Sequence, residues 1–115
     1  MRWVLVALVV TVHIASAQAA GPNCGQLDAK AQETGPFRPP LGAVVNGTGR
    51  LSFHSAPDAQ CKRADFLVPG DHVVVYVPYK HWLYVSFVNE KNGSQTEGWL
   101  PDARLKITGT MGLSN

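Results

Sequence analysis

Little charge, few cysteines and no extended helical periodicity mark this 115-residue sequence. Charged residues are 16% of the chain, and the formal net charge is +2. Arg2 supplies one of the positive charges and lies in a segment expected to be removed, so neither nucleic acid nor an anionic membrane surface has an electrostatic handle. No cysteine cluster accompanies His54, His72 and His81, which stand isolated and without HExxH spacing, so no metal or other cofactor is expected. A nucleophile-elbow pattern is also missing. His54, Ser55 and Asp58 are residue types of a hydrolytic triad, but neighbours within one loop rarely converge on a pocket with an oxyanion site. The chain is too short to carry a separate catalytic domain, and no enzyme is expected.

One long apolar run is present, over residues 3–14, behind Arg2 and ahead of small residues. This is the pattern of a secretory signal. Ala15-Ser16-Ala17 puts small side chains where a signal peptidase binds, which predicts a signal peptide over residues 1–17 and a mature start at Gln18. Ala17-Gln18-Ala19 is the second candidate site. The run is too short to span about 30 Å of hydrocarbon, so no membrane attachment is expected once the signal is removed. Cys24 follows Gly21-Pro22-Asn23, not the small apolar residues that a lipoprotein site requires. Export to the periplasm or the medium places Cys24 and Cys61 where disulfides persist, and the two are predicted to pair. The bridge would close a loop of about 38 residues, worth about 4 kcal/mol in the chain-entropy model. It would also remove the free thiolate that a thiol peptidase needs.

Residues 18–40 are rich in Ala, Gly, Gln and Pro and lack both periodicities; they read as an extended tether pinned at Cys24. Pro36-Phe37-Arg38-Pro39 matches the spacing of a proline-rich ligand, so the tether has a second, less favoured reading as an occupant of the domain's own groove. From residue 41 to 115 the pattern becomes that of a small all-β domain, with β-branched and aromatic runs broken by Gly, Pro, Asn and Asp. Strands are predicted over residues 41–45, 50–54, 72–77, 82–89 and 95–100, with Leu105 and Ile107 finishing the sheet. A long irregular loop is expected over residues 55–65. Alternation puts Leu83, Val85 and Phe87 on one face and Trp82, Tyr84 and Ser86 on the other. The predicted core is Leu51, Phe53, Leu67, Val73, Val75, Val85, Phe87, Leu100 and Leu105.

Several local features carry a family resemblance. Gly70-Asp71 precedes a Val-rich strand, Trp82 opens the next, and Gly98-Trp99-Leu100-Pro101 leads to Leu105. The stretch from Gly49 through Arg50-Leu51-Ser52-Phe53-His54 to Asp58 fits the start of a long first loop. Over residues 44–107 the chain resembles the exported bacterial Src homology 3 (SH3b) family. The resemblance implies a small, strongly bent, five-stranded barrel in which the long loop flanks a shallow groove. Eukaryotic domains of this fold bind proline-rich peptides there. Trp82 and Pro101 match groove positions, while Arg104 and His54 stand where tyrosines are expected. That departure shifts the expected ligand from a proline-rich peptide toward one with a carboxylate or carbonyl near Arg104.

Trp82 and Tyr84 point away from the predicted core, which suggests a contact surface. The candidate ligand-binding set is Trp82, Tyr84, Pro101, Arg104, Tyr79 and His54; Trp99 is expected to pack. The expected function is a non-catalytic, monomeric module that binds a peptidoglycan peptide or another exported protein. The alternative is an inhibitor or immunity protein that blocks a secreted hydrolase.

Overall fold

Alternating apolar residues in short runs separated by tight turns build one antiparallel sheet, seen in a computed structural model that describes residues 4–12 and 21–111. Its strands are β1 (Leu41–Val45), β2 (Leu51–His54), β3 (Lys62–Leu67), β4 (His72–Tyr79), β5 (Trp82–Val88), β6 (Gln95–Pro101) and β7 (Leu105–Thr110). Their order is β3-β2-β6-β5-β4-β1-β7. Among the described residues, one α-helix, α1 (Cys24–Gln32), precedes the sheet, and 3-10 turns cover Ala59–Cys61 and Asp102–Arg104. Residues 4–12 have no regular secondary structure, and their side chains are exposed. The predicted signal cleavage sites lie outside the described residues. No helix among the described residues is long and apolar enough to cross a membrane.

The expected five-stranded closed barrel is corrected on both counts. Seven strands form, and in the ladder β7 pairs with β1 and β3 with β2, leaving β3 and β7 as the two ends of the order. The additional strand β3 lies partly in the segment expected to be irregular. Its residues Lys62, Ala64, Asp65 and Phe66 are exposed, so no buried alternating stripe marks it in the sequence. Pairing of Leu51 with Leu67 and Ser52 with Phe66 defines it instead.

The second correction concerns the tether, which contains a helix where an extended segment was expected. Asn23 caps it: the side-chain Oδ1 accepts a hydrogen bond from the Gln26 backbone N–H at 3.1 Å. Leu27, Ala29, Lys30, Ala31 and Gln32 are helix formers. Only Ala31 is fully buried, so the helix has too narrow an apolar face to produce a recognisable period. A nine-residue helix is marginal in isolation; contact with the sheet sustains this one. Beyond it, the Phe37 N–H donates to the Tyr76 carbonyl at 2.6 Å and the Phe37 ring packs against the core.

The inner face of the sheet holds the main core. Ala43, Val45, Leu51, Phe53, Leu67, Val73, Val75, Val85, Leu100 and Leu105 are buried together, with Phe37, Leu41, Leu83 and Phe87 packed at the margin. Every residue of the predicted core is in this cluster, Phe87 as a partly buried member. Gly98 lies where β6 crosses this core, and a Cβ there would meet Phe53 Cδ1 at 3.0 Å and the His54 carbonyl at 3.2 Å. The close approach of β6 to β2 therefore depends on that missing side chain.

Candidate functional site: an aromatic face beneath a stapled helix

Residues of β5 and β6 that alternate away from the main core form a second cluster on the outer face, joined by Val77 and Tyr79 of β4, which the register shift between Val75 and Val77 turns to that side. Cross-strand register sets Tyr79 opposite Trp82, Tyr84 opposite Trp99 and Trp82 opposite Pro101. Tyr84 and Trp99 rings lie 5.3 Å apart and Tyr79 and Trp99 rings 6.4 Å apart, both edge-to-face. Such pairs stabilise beyond their buried area. Ala31 of α1, Val77 and Trp99 are the fully buried centre, and Tyr76, Tyr79, Trp82 and Tyr84 surround them half-buried. Helix α1 thus covers part of the face expected to meet a ligand.

Two ties hold the helix in place. Cys24 and Cys61 form the predicted disulfide, joining the start of α1 to the 3-10 turn of the long loop. The Trp99 indole N–H donates to Asp28 Oδ1 at 2.8 Å, which satisfies the one polar atom of a side chain that is 0% exposed. Gln32 Nε2 also donates to that oxygen, at 3.2 Å, and fixes the carboxylate on the helix surface.

At the sheet end of the cluster, Tyr84 donates its hydroxyl to Glu97 Oε2 at 3.1 Å. Burial, reinforced by the Glu97 carboxylate, pushes the phenol up to about 12. Gln95 Nε2 donates to both Ser86 Oγ and Glu97 Oε1, at 2.8 and 3.0 Å. Arg63 holds Asp65 in a two-pronged ion pair and donates Nη1–H to the Glu97 carbonyl at 2.7 Å. The Arg63 hydrogen bond holds the Asp65 carboxyl below its usual range.

The six predicted ligand residues divide into three groups. Tyr79, Trp82, Tyr84 and Pro101 share the outer face and remain half-exposed. His54 joins them from β2: its ring lies 4.7 Å from that of Trp82, edge-on. It is 8% exposed, its Nδ1 has no hydrogen-bond partner, and burial lowers its basicity. Arg104 behaves differently. Its Nε donates to the Asn46 carbonyl and its Nη2 to the Gly49 carbonyl, both at 2.7 Å. The side chain clamps the β1–β2 turn, and the expected anchor for a ligand carboxylate is engaged by the protein's own backbone. Gly47 makes room for this clamp with φ +82°, since a Cβ there would approach Arg104 Nε to 2.6 Å.

Trp99, expected to pack, does so. The polar residues of the triad reading brace the loop: Ser55 Oγ donates to the Cys61 carbonyl at 3.3 Å, and Asp58 Oδ1 accepts from the Gln60 N–H at 2.7 Å. Among the described residues, no group of three His, Cys, Asp or Glu side chains gathers closely enough to hold a metal ion.

Sequence reasoning missed Asp28 and Ala31 entirely, because a contact 71 positions away leaves no local pattern. It also missed two adjoining hollows elsewhere on the sheet, of about 350 and 280 Å³. The first is lined by Gly42, Val74, Val88 and Met111, and both share His72, Val88 and Glu90. None of the six candidate ligand residues lines either hollow. No family model matches the chain, and no curated protein or solved structure is significantly similar to it.

Proposed function

We propose that this chain is an exported, non-catalytic binding module of the SH3-like kind, and that it recognises a cell-wall peptide or another exported protein through Tyr79, Trp82, Tyr84 and Pro101. One observation carries this reading: the rings of Tyr79, Trp82 and Tyr84 and the neighbouring Pro101 stand half-exposed on one face of the sheet, with the His54 ring, its Nδ1 unpartnered, edge-on to Trp82. Half-buried aromatics on a fixed scaffold suit recognition, since they bury much area while losing little side-chain entropy. The Cys24–Cys61 bond supports export, because structural disulfides persist in oxidising compartments. With Arg104 engaged, the ligand is more apolar than the sequence suggests, and it contacts Trp82 and Pro101 rather than a free guanidinium.

Sedimentation with purified peptidoglycan sacculi tests the cell-wall version. The wild-type chain is expected in the pellet and Trp82→Ala in the supernatant; wild-type protein left wholly in the supernatant removes it. The inhibitor reading draws on a separate feature, the loop from Ser55 to Cys61 stiffened by the disulfide and by the Asp58 cap. A nanomolar complex with a co-secreted hydrolase, insensitive to Trp82→Ala, would favour it instead.

A further inference from the structure

We propose that α1 is a tethered occupant of the recognition face, and that the Cys24–Cys61 bond decides whether α1 or a partner segment of the same chemistry holds it. This rests on the binding-module reading and adds to it the kind of partner and the means of control. Helix α1 shows what the covered part of the face accepts. Asp28 offers a carboxylate to the Trp99 indole N–H, and Ala31, one turn further on, sits with no exposure against Val77 and Trp99. The fitting partner is therefore a helical turn with an acidic residue followed three positions later by an alanine-sized one.

The helix has a weak hold of its own. It spans nine residues, buries one small side chain completely and donates nothing from its backbone to the sheet. A helix this short depends on external ties. The covalent tie raises its effective concentration at the face far above that of any free competitor. Opening the bond needs a dithiol reductant. Its thiolate attacks Cys24 Sγ, which is the less buried of the two sulfurs' residues, and Cys61 leaves as a thiolate that takes up a proton. The reductant's second thiolate then attacks the mixed disulfide. Cys24 leaves and is protonated in turn, so two electrons and two protons pass from the dithiol to the cysteines. Residues 33–36, up to the docked Phe37, then tether a helix that can leave the face.

The test follows the Trp99 indole N–H by NMR hydrogen exchange in the full chain, oxidised and after dithiothreitol. The probe is a synthetic peptide of residues 23–35 carrying Cys24→Ser. Reduction is expected to speed exchange at least tenfold. Added peptide should restore protection in the reduced chain only, and the peptide with Asp28→Ala should bind about tenfold more weakly. A reduced chain that keeps its sheet and an unchanged Trp99 exchange rate overturns the proposal, making α1 a permanent layer. Opening without protection by the peptide overturns the partner chemistry. If reduction melts the sheet, the oxidised Ala31→Glu variant takes its place; exchange is again expected to accelerate tenfold, and an unchanged rate again overturns the proposal. Loss of sacculus binding by Trp82→Ala is read separately, so the recognition reading can stand or fall without the latch.

Discussion

The two faces of this sheet are held by different physics. The inner face joins Phe53, Leu51, Val75, Val85 and Leu100 in a cluster of hydrocarbon, with residues contributed by every strand of the sheet. The outer face gathers Trp99, Tyr84, Tyr79 and Trp82, each with a polar atom to satisfy, and a short helix covers Trp99 while leaving the other three half-exposed. Burial alone accounts for the first. The second relies on one covalent bond and one hydrogen bond to a carboxylate. On the proposed reading, a cluster covered in this way is uncovered without dismantling the core, and the outer face serves recognition.

The largest expected effect comes from breaking the inner side of this contrast. Phe53→Ala removes a ring at the centre of the core and should destabilise the fold by about 3–5 kcal/mol, measured by denaturant unfolding. The same substitution should abolish near-ultraviolet signals from both faces, because the outer one is built on the same strands. A loss confined to one face would contradict a shared scaffold.

A smaller effect is expected on the outer side. Asp28→Ala leaves the Trp99 N–H buried without its acceptor and should cost about 1–3 kcal/mol. The inner core should be untouched, so the loss should be visible in Trp fluorescence before it is visible in sheet content. Coincident loss of both signals would mean that α1 is integral to a single cooperative unit.

Acid should sharpen the comparison further. Burial lowers the His54 pKa in the fold, so the unfolded chain takes up the proton first. Stability is therefore complete above about 6.5 and falls as pH drops from there through the lowered folded value. His54→Phe should flatten that acid limb in urea titrations, and an unchanged limb would assign the loss to carboxylates. At the alkaline end the sign is the opposite. Tyr84 is raised to about 12, so unfolded chains ionise first and stability declines as pH rises from about 10 toward 12. Tyr84→Phe should reduce that slope, the smallest of these effects because the residue is only half-buried.

Much of the sheet was legible in the order of residues. Alternation along Trp82–Val88 separated Val85 from Trp82 and Tyr84, and the Asn and Gly residues that break the apolar runs, Asn46-Gly47 and Asn92-Gly93 among them, fall at connections between strands. Strand β3 was not legible because most of its side chains face solvent, and α1 was not because only Ala31 is fully buried. Among the candidate site residues, Trp82 and Tyr84 follow from alternation and Pro101 from the family resemblance, and Tyr79 joins them on one face beyond the register shift between Val75 and Val77. The engagement of Arg104 was not legible, since the carbonyls of Asn46 and Gly49 that hold it lie more than fifty positions earlier.

By itself the sequence determined which side chains turn inward, where the chain bends and that two cysteines in a chain read as exported should pair, for these follow from local stereochemistry and composition. Only the tertiary structure decided what lies on the outer face. That outcome depends on a nine-residue helix meeting an indole 71 positions away, and contacts made across such distances leave no periodic trace in the chain that forms them.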